Sequence, residues 1–170
     1  MYAVRDTEIE DFVEVLLKAG ADVNAENKFG WTALGIAREK KKLNMAKRLE
    51  LAGGIDKGRE EAKFVELARK GMIAALMKAI QNGANVNVCK LNGTTALMKA
   101  VKEGNLTAVN LLLKAKANVN QKDNEGMTAL MYAPQSNSVE IIKALIKAGA
   151  DINARDDGDQ TVLFHAFEKP

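Results

Sequence analysis

Apolar residues recur along the chain as doublets one helical turn apart: Phe12, Val13, Leu16, Leu17; Ala75, Leu76, Ala79, Ile80; Ala108, Val109, Leu112, Leu113; and Ile141, Ile142, Leu145, Ile146. Spacing at i, i+1, i+4 and i+5 predicts four helices whose apolar stripe is too wide for one neighbour to cover. A second set opens on threonine: Thr32-Ala33-Leu34, Thr95-Ala96-Leu97, Thr128-Ala129-Leu130 and Thr161-Val162-Leu163. There the hydroxyl is placed to accept an orphan first-turn N–H, a cap worth about 1 kcal/mol.

The two sets keep one register. Gly20-Ala21-Asp22-Val23-Asn24, Gly83-Ala84-Asn85-Val86-Asn87, Lys116-Ala117-Asn118-Val119-Asn120 and Gly149-Ala150-Asp151-Ile152-Asn153 line up, with a degenerate copy at Gly53-Gly54-Ile55-Asp56. The steps are 33, 30, 33 and 33 residues, and each capping threonine follows its asparagine by eight. Glycine at the end of a helix suits the left-handed C′ position, so Lys116 predicts a weak cap. The intervening segments 25–31, 88–94, 121–127 and 154–160 read as hairpin fingers, with Gly30, Gly93 and Gly126 in one turn slot. In the last finger Gly158 arrives one residue early and Asp159 stands in that slot, which predicts a shifted turn.

This pattern of a glycine, a variable residue, threonine and leucine at fixed spacing, two helices and a closing Gly-Ala-Asp resembles the ankyrin repeat family over nearly the whole chain. Alanine or valine replaces the family's proline after threonine, and glycine, methionine or phenylalanine its histidine. The resemblance implies an all-α solenoid of stacked helix pairs with short β-hairpin fingers, curved and used to hold other proteins. The units expected are a half repeat at 1–24, repeats at 25–56, 57–87, 88–120 and 121–153, and a half repeat at 154–170, the one at 57–87 lacking a full finger.

Partners in such arrays commonly touch the finger tips and the first helices. That slot corresponds here to Lys28, Phe29 and Trp31; Leu91, Asn92 and Thr94; Asn124, Glu125 and Met127; and Asp157 and Gln160, with Lys40, Lys102, Glu103, Gln135 and Ser136 as a rim. Trp31 stands out as an anchor, because tryptophan is a common interface hot spot. The competing reading is that it lies across the neighbouring finger for packing alone.

The 30-residue step marks a junction at 57–62. Glu50, where sister helices carry Leu17, Leu113 or Ile146, is the polar outer residue of a capping repeat. Two readings fit: one continuous stack with an eroded repeat, or the end of one array at 1–54 and the start of another at 60–170. Half units at both ends are expected to leave Phe12, Leu16, Leu163 or Phe167 partly uncovered, as in a fragment of a longer protein or in a head-to-tail assembly.

Composition narrows the function. Twenty-five basic against twenty-two acidic residues leaves only +3, too little for a nucleic-acid surface. No apolar run is long enough to span a bilayer, and no signal segment is visible at the N-terminus, so a cytoplasmic setting without a membrane is expected. The single cysteine, Cys89, forms no internal disulfide and is expected to be partly exposed in its finger. With His165 more than two repeats away, no nucleophile–base site can form. Asp156, Asp157 and Asp159 lack the spacing of a calcium loop, and Gly53-Gly54 and Lys57-Gly58 do not make a phosphate loop. Lys40-Lys41-Lys42 falls in the turn between two helices. The expectation is therefore a non-enzymatic protein-binding scaffold, with no cofactor, metal or small-molecule substrate. It is expected to be monomeric, though its ends allow head-to-tail association. The alternative is an architectural segment that binds nothing of its own.

Overall fold

A computed structural model of the chain describes residues 2–167, with side-chain surroundings for 9–58 and 61–167. The chain divides into two compact units, one ending at Arg59 and the other beginning at Glu60. The division falls within the 30-residue step.

In the first unit, α1 (Tyr2–Lys18) is followed by α2 (Ala33–Glu39) and α3 (Leu43–Leu51). In the register of the repeat, Tyr2-Ala3 at the start of the expected half unit matches Tyr132-Ala133 late in a first helix, but the backbone from Tyr2 to Lys18 runs through as one helix. Val4 to Thr7 include neither glycine nor proline, and nothing there takes the left-handed conformation found at Lys41, Gly71, Gly104 and Asn137, where other first helices turn into second ones. The core is small: Leu34, Ala37, Ala46 and Leu49, with Val13, Leu17, Val23 and Met45 against it. Arg48 on α3 reaches back to α1, 2.7 Å from Glu14 and 3.5 Å from Glu10.

The second unit runs through α4 (Arg59–Arg69), α5 (Ile73–Gln81), α6 (Ala96–Lys102), α7 (Leu106–Lys114), α8 (Ala129–Tyr132) with a 3-10 turn (Ala133–Ser136), α9 (Val139–Lys147) and α10 (Val162–Phe167). First helices pack on first helices, α6 on α8 and α8 on α10, and second on second, α5 on α7 and α7 on α9. Both faces of the wide apolar stripe are thereby used. Leu76, Val109, Leu112, Ile141 and Leu145 are fully buried together with Leu97, Val101 and Leu130. Pro134, which has no N–H to donate, accompanies the early end of α8. Phe12, Leu16, Leu163 and Phe167 are all exposed.

Each second helix closes in the same hydrogen-bond pattern. The Gly20 and Ala21 N–H groups reach the Leu17 and Leu16 carbonyls, and Lys116 and Ala117 do the same to Leu113 and Leu112. Lys116 keeps both bonds by adopting φ +67°, so the cap is strained rather than lost. Beyond it, the conserved-register asparagines link one repeat to the next. The Asn24, Asn87 and Asn120 side-chain oxygens accept the N–H of Ile55 (2.7 Å), Asn118 (2.7 Å) and Asp151 (2.8 Å), each thirty-one residues on.

Candidate functional site

The four fingers are turns rather than paired strands; the bridge seen among them joins Cys89 and Thr95. Each is closed by two backbone bonds around a base residue. The Asn27, Lys90, Asp123 and Asp156 N–H groups donate to Trp31, Thr94, Met127 and Gln160, and their carbonyls accept from Gly30, Gly93, Gly126 and Asp159. The last finger corrects the expected shifted turn. Asp159 takes the glycine slot at φ +62°, while Gly158 stays outside the left-handed region. Arg155 holds it there, 3.0 Å from the Asp159 carbonyl and 2.8 Å from its carboxylate.

Where the base residue is Asn or Asp, its side chain also fastens the turn. Asn27 accepts the Phe29 and Trp31 N–H groups, Asp123 those of Glu125 and Met127, and Asp156 those of Gly158 and Gln160. The second carboxylate oxygen of each aspartate then meets a first helix nine residues on. Tyr132 donates to Asp123 over 2.5 Å, and the His165 ring lies 2.8 Å from Asp156. Burial and the Asp123 carboxylate together push the Tyr132 hydroxyl above its usual range. Burial opposes ionisation of Asp156, but bonds from the Gln160 N–H, the His165 ring and the Gly158 N–H outweigh it and hold the carboxyl below its usual value.

Within the second unit, neighbouring fingers join tip to tip. Asn124 donates its N–H to the Asn92 carbonyl over 3.0 Å and its side chain to Leu91, and Asp157 donates to the Glu125 carbonyl over 3.0 Å. The second unit's fingers thus form a row linked by backbone hydrogen bonds.

The structure sorts the eleven expected contact residues. Lys28, Asn92, Asn124, Glu125 and Asp157 are exposed; Phe29, Leu91 and Gln160 are half-buried. Lys28 places its ammonium 4.8 Å from the Phe29 ring centroid. Trp31, Thr94 and Met127, expected in the contact surface, are buried at 1%, 3% and 7% exposure. All three precede a capping threonine, and at that place the chain turns the side chain inward. Trp31 packs against Gly58, in the stretch that replaces a finger. Cys89, expected partly exposed, is also buried, at 3%.

The capping threonines differ from one another. Thr32 accepts from the Gly35 and Lys57 N–H groups and donates to the Ile55 carbonyl, and Thr95 accepts from the Met98 N–H. At the third, the Met131 N–H goes to the Thr128 carbonyl, leaving the buried Thr128 hydroxyl unbonded. The expected hydroxyl cap is not made there.

Sequence reading missed the pairing of finger base with first helix. Its signal lies in comparing equivalent places nine apart: Asp123 with Tyr132, Asp156 with His165, and, one repeat earlier, Lys90 with Lys99. Lys90 lies 3.0 Å from Glu66 on α4, and Glu66 also bonds Arg69. The Arg69 hydrogen bond is the largest influence on Glu66 and, with Lys90 and against some burial, holds its carboxyl down to about 2.

These stacked helix pairs with turn fingers agree with a family model described as ankyrin repeats (3 copies), which matches residues 1–91 and again 64–156. The chain belongs to the ankyrin repeat family, whose members are generally protein–protein interaction modules and typically not enzymes. Among the described residues no helix is long and apolar enough to cross a membrane.

Proposed function

We propose that the finger and first-helix faces of the two units each contact partner protein, the first unit's through Lys28 and Phe29 and the second unit's through Leu91, Asn92, Asn124, Glu125, Asp157 and Gln160. The observation that carries this is the tip-to-tip bonding of the second unit's fingers. Because the Asn124 and Asp157 N–H groups are already paired with the preceding fingers, the finger backbone is held in place before binding and adds little ordering cost. Trp31, Thr94 and Met127 serve this face from beneath, by fixing each finger's path into its helix.

A photo-reactive residue placed at Glu125, with a second chain carrying it at Lys147 as control, tests the reading. The Glu125 chain is expected to crosslink a partner protein that the control misses, and Glu125→Arg to weaken that partner's binding about tenfold, as loss of a charged contact does. Equal crosslinking from both places overturns the assignment of the face. An architectural segment would yield no partner from either.

A further inference from the structure

One repeat departs from its successors at the place where finger base meets first helix. Asp123 with Tyr132 and Asp156 with His165 each pair a carboxylate with a donor. The preceding repeat has two like charges there, Lys90 and Lys99. Lys90 turns to Glu66 on α4. Lys99 is half-buried and makes no ion pair or side-chain hydrogen bond among the described residues. Burial first, then Lys102 and Lys90, push its ammonium below the ordinary lysine value, and Glu103 and Glu66 only partly offset them. Lys102 is exposed, with its ammonium 5.6 Å from the Tyr132 ring centroid. Glu66 is already shared between Arg69 and Lys90. Among the described residues, the cluster of Arg69, Lys90, Lys99 and Lys102 therefore holds more cations than the neighbouring Glu66 and Glu103 can pair, on the face that carries the fingers.

We infer that this cluster receives an acidic segment of the partner protein, an Asp or Glu carboxylate docking at Lys99 and Lys102 where Asp123 and Asp156 serve the next two repeats from within the chain. The inference rests on the proposed partner-binding role of the face and adds the partner's chemistry. A carboxylate there pairs a partly desolvated cation that otherwise lacks one, and a charge-assisted hydrogen bond gains from that partial burial. Binding draws a proton toward Lys99 where the free protein has begun to release it.

The probe is a short peptide of alternating glutamate and glycine, titrated into the full chain with the lysine side-chain signals followed by NMR. The Lys99 signals are expected to move, its titration to shift upward, and the affinity to fall as salt rises from about 50 to about 300 mM. Lys99→Gln should weaken binding about tenfold, while Lys143→Gln on α9 should leave it unchanged. Lys90→Asp rebuilds the intrachain pair and should block the peptide while leaving the fold intact by circular dichroism. Unmoved Lys99 signals, or equal weakening by Lys99→Gln and Lys143→Gln, overturn the inference. So does binding confined to a phosphoserine peptide, which would make the occupant a phosphorylated segment. If a partner crosslinked from Glu125 keeps its affinity for the Lys99→Gln chain, the acidic docking falls while the scaffold reading stands.

Discussion

The Trp31 ring fills the space that a side chain on Gly58 would need: a β-carbon built there would lie 2.1 Å from the indole. Gly58 also adopts φ +106°, outside the range that a residue with a β-carbon tolerates easily. Gly58→Ala therefore meets both overlap and backbone strain, and is expected to destabilise the first unit by about 3 kcal/mol. Trp31 is the chain's single tryptophan, so its fluorescence in a denaturant titration reads that unit directly. A loss under about 1 kcal/mol would show that the indole can move aside.

At Lys116 a lysine with φ +67° does the work of the glycines at 20, 53, 83 and 149. Lys116→Gly is expected to stabilise the second unit by about 0.5–1 kcal/mol, the left-handed strain relieved less the entropy glycine adds to the unfolded chain. Gly149→Ala should do the reverse. Thermal unfolding of both variants checks the pair of signs.

Tyr132→Phe removes the donor that faces the nearly buried Asp123 carboxylate. A cost of about 1–2 kcal/mol is expected, measured by chemical denaturation. In the unaltered chain, the ultraviolet absorbance change of Tyr132 should come at higher pH than that of free tyrosine, since the neutral hydroxyl is the form that bonds the carboxylate.

Glu66 stays ionised in the folded chain down to about 2, whereas the unfolded chain takes up that proton near 4.5. The unfolded state binds more protons between those values, so this contribution is complete above about 4.5 and lost as pH falls through about 2. Glu66→Gln should lower stability by about 1 kcal/mol at neutral pH and lose that difference in acid. A gap that persists in acid would trace the effect to packing instead.

Lys99 carries a linkage of the same sign at alkaline pH, but its charge disfavours the fold at neutral pH. Its folded value lies below the 10.5 of free lysine, so between the two the unfolded chain holds the extra proton and stability rises with pH. Lys99→Met should raise stability at neutral pH and flatten that rise. Unfolding curves at several alkaline pH values check it.

The repeat, the order of helices and the finger positions were legible because each depends on local chemistry: apolar doublets, a capping threonine, a glycine slot. Even the unusual Lys116 and Asp159 stood out against that register. Local spacing does not reveal which way a side chain turns on leaving a finger. Trp31, Thr94 and Met127 read as display positions because a turn lies on one side of them, yet all point inward. The Asp123–Tyr132 pair was hidden for a related reason. Nine residues match neither a helical turn nor a strand alternation, and only the fold of finger against helix brings them together.

The asparagine bridges suggest how such a chain can change length. Each one ties a residue to a backbone N–H thirty-one places on, and the recipient needs only to stand at the right phase. Excising 88–120 would bring Asn87 opposite Asp151, the residue Asn120 now holds, so the severed ends would meet a matching socket. Growth or shrinkage by whole cassettes leaves every remaining joint with a counterpart, whereas removing a few residues from a cassette leaves one without.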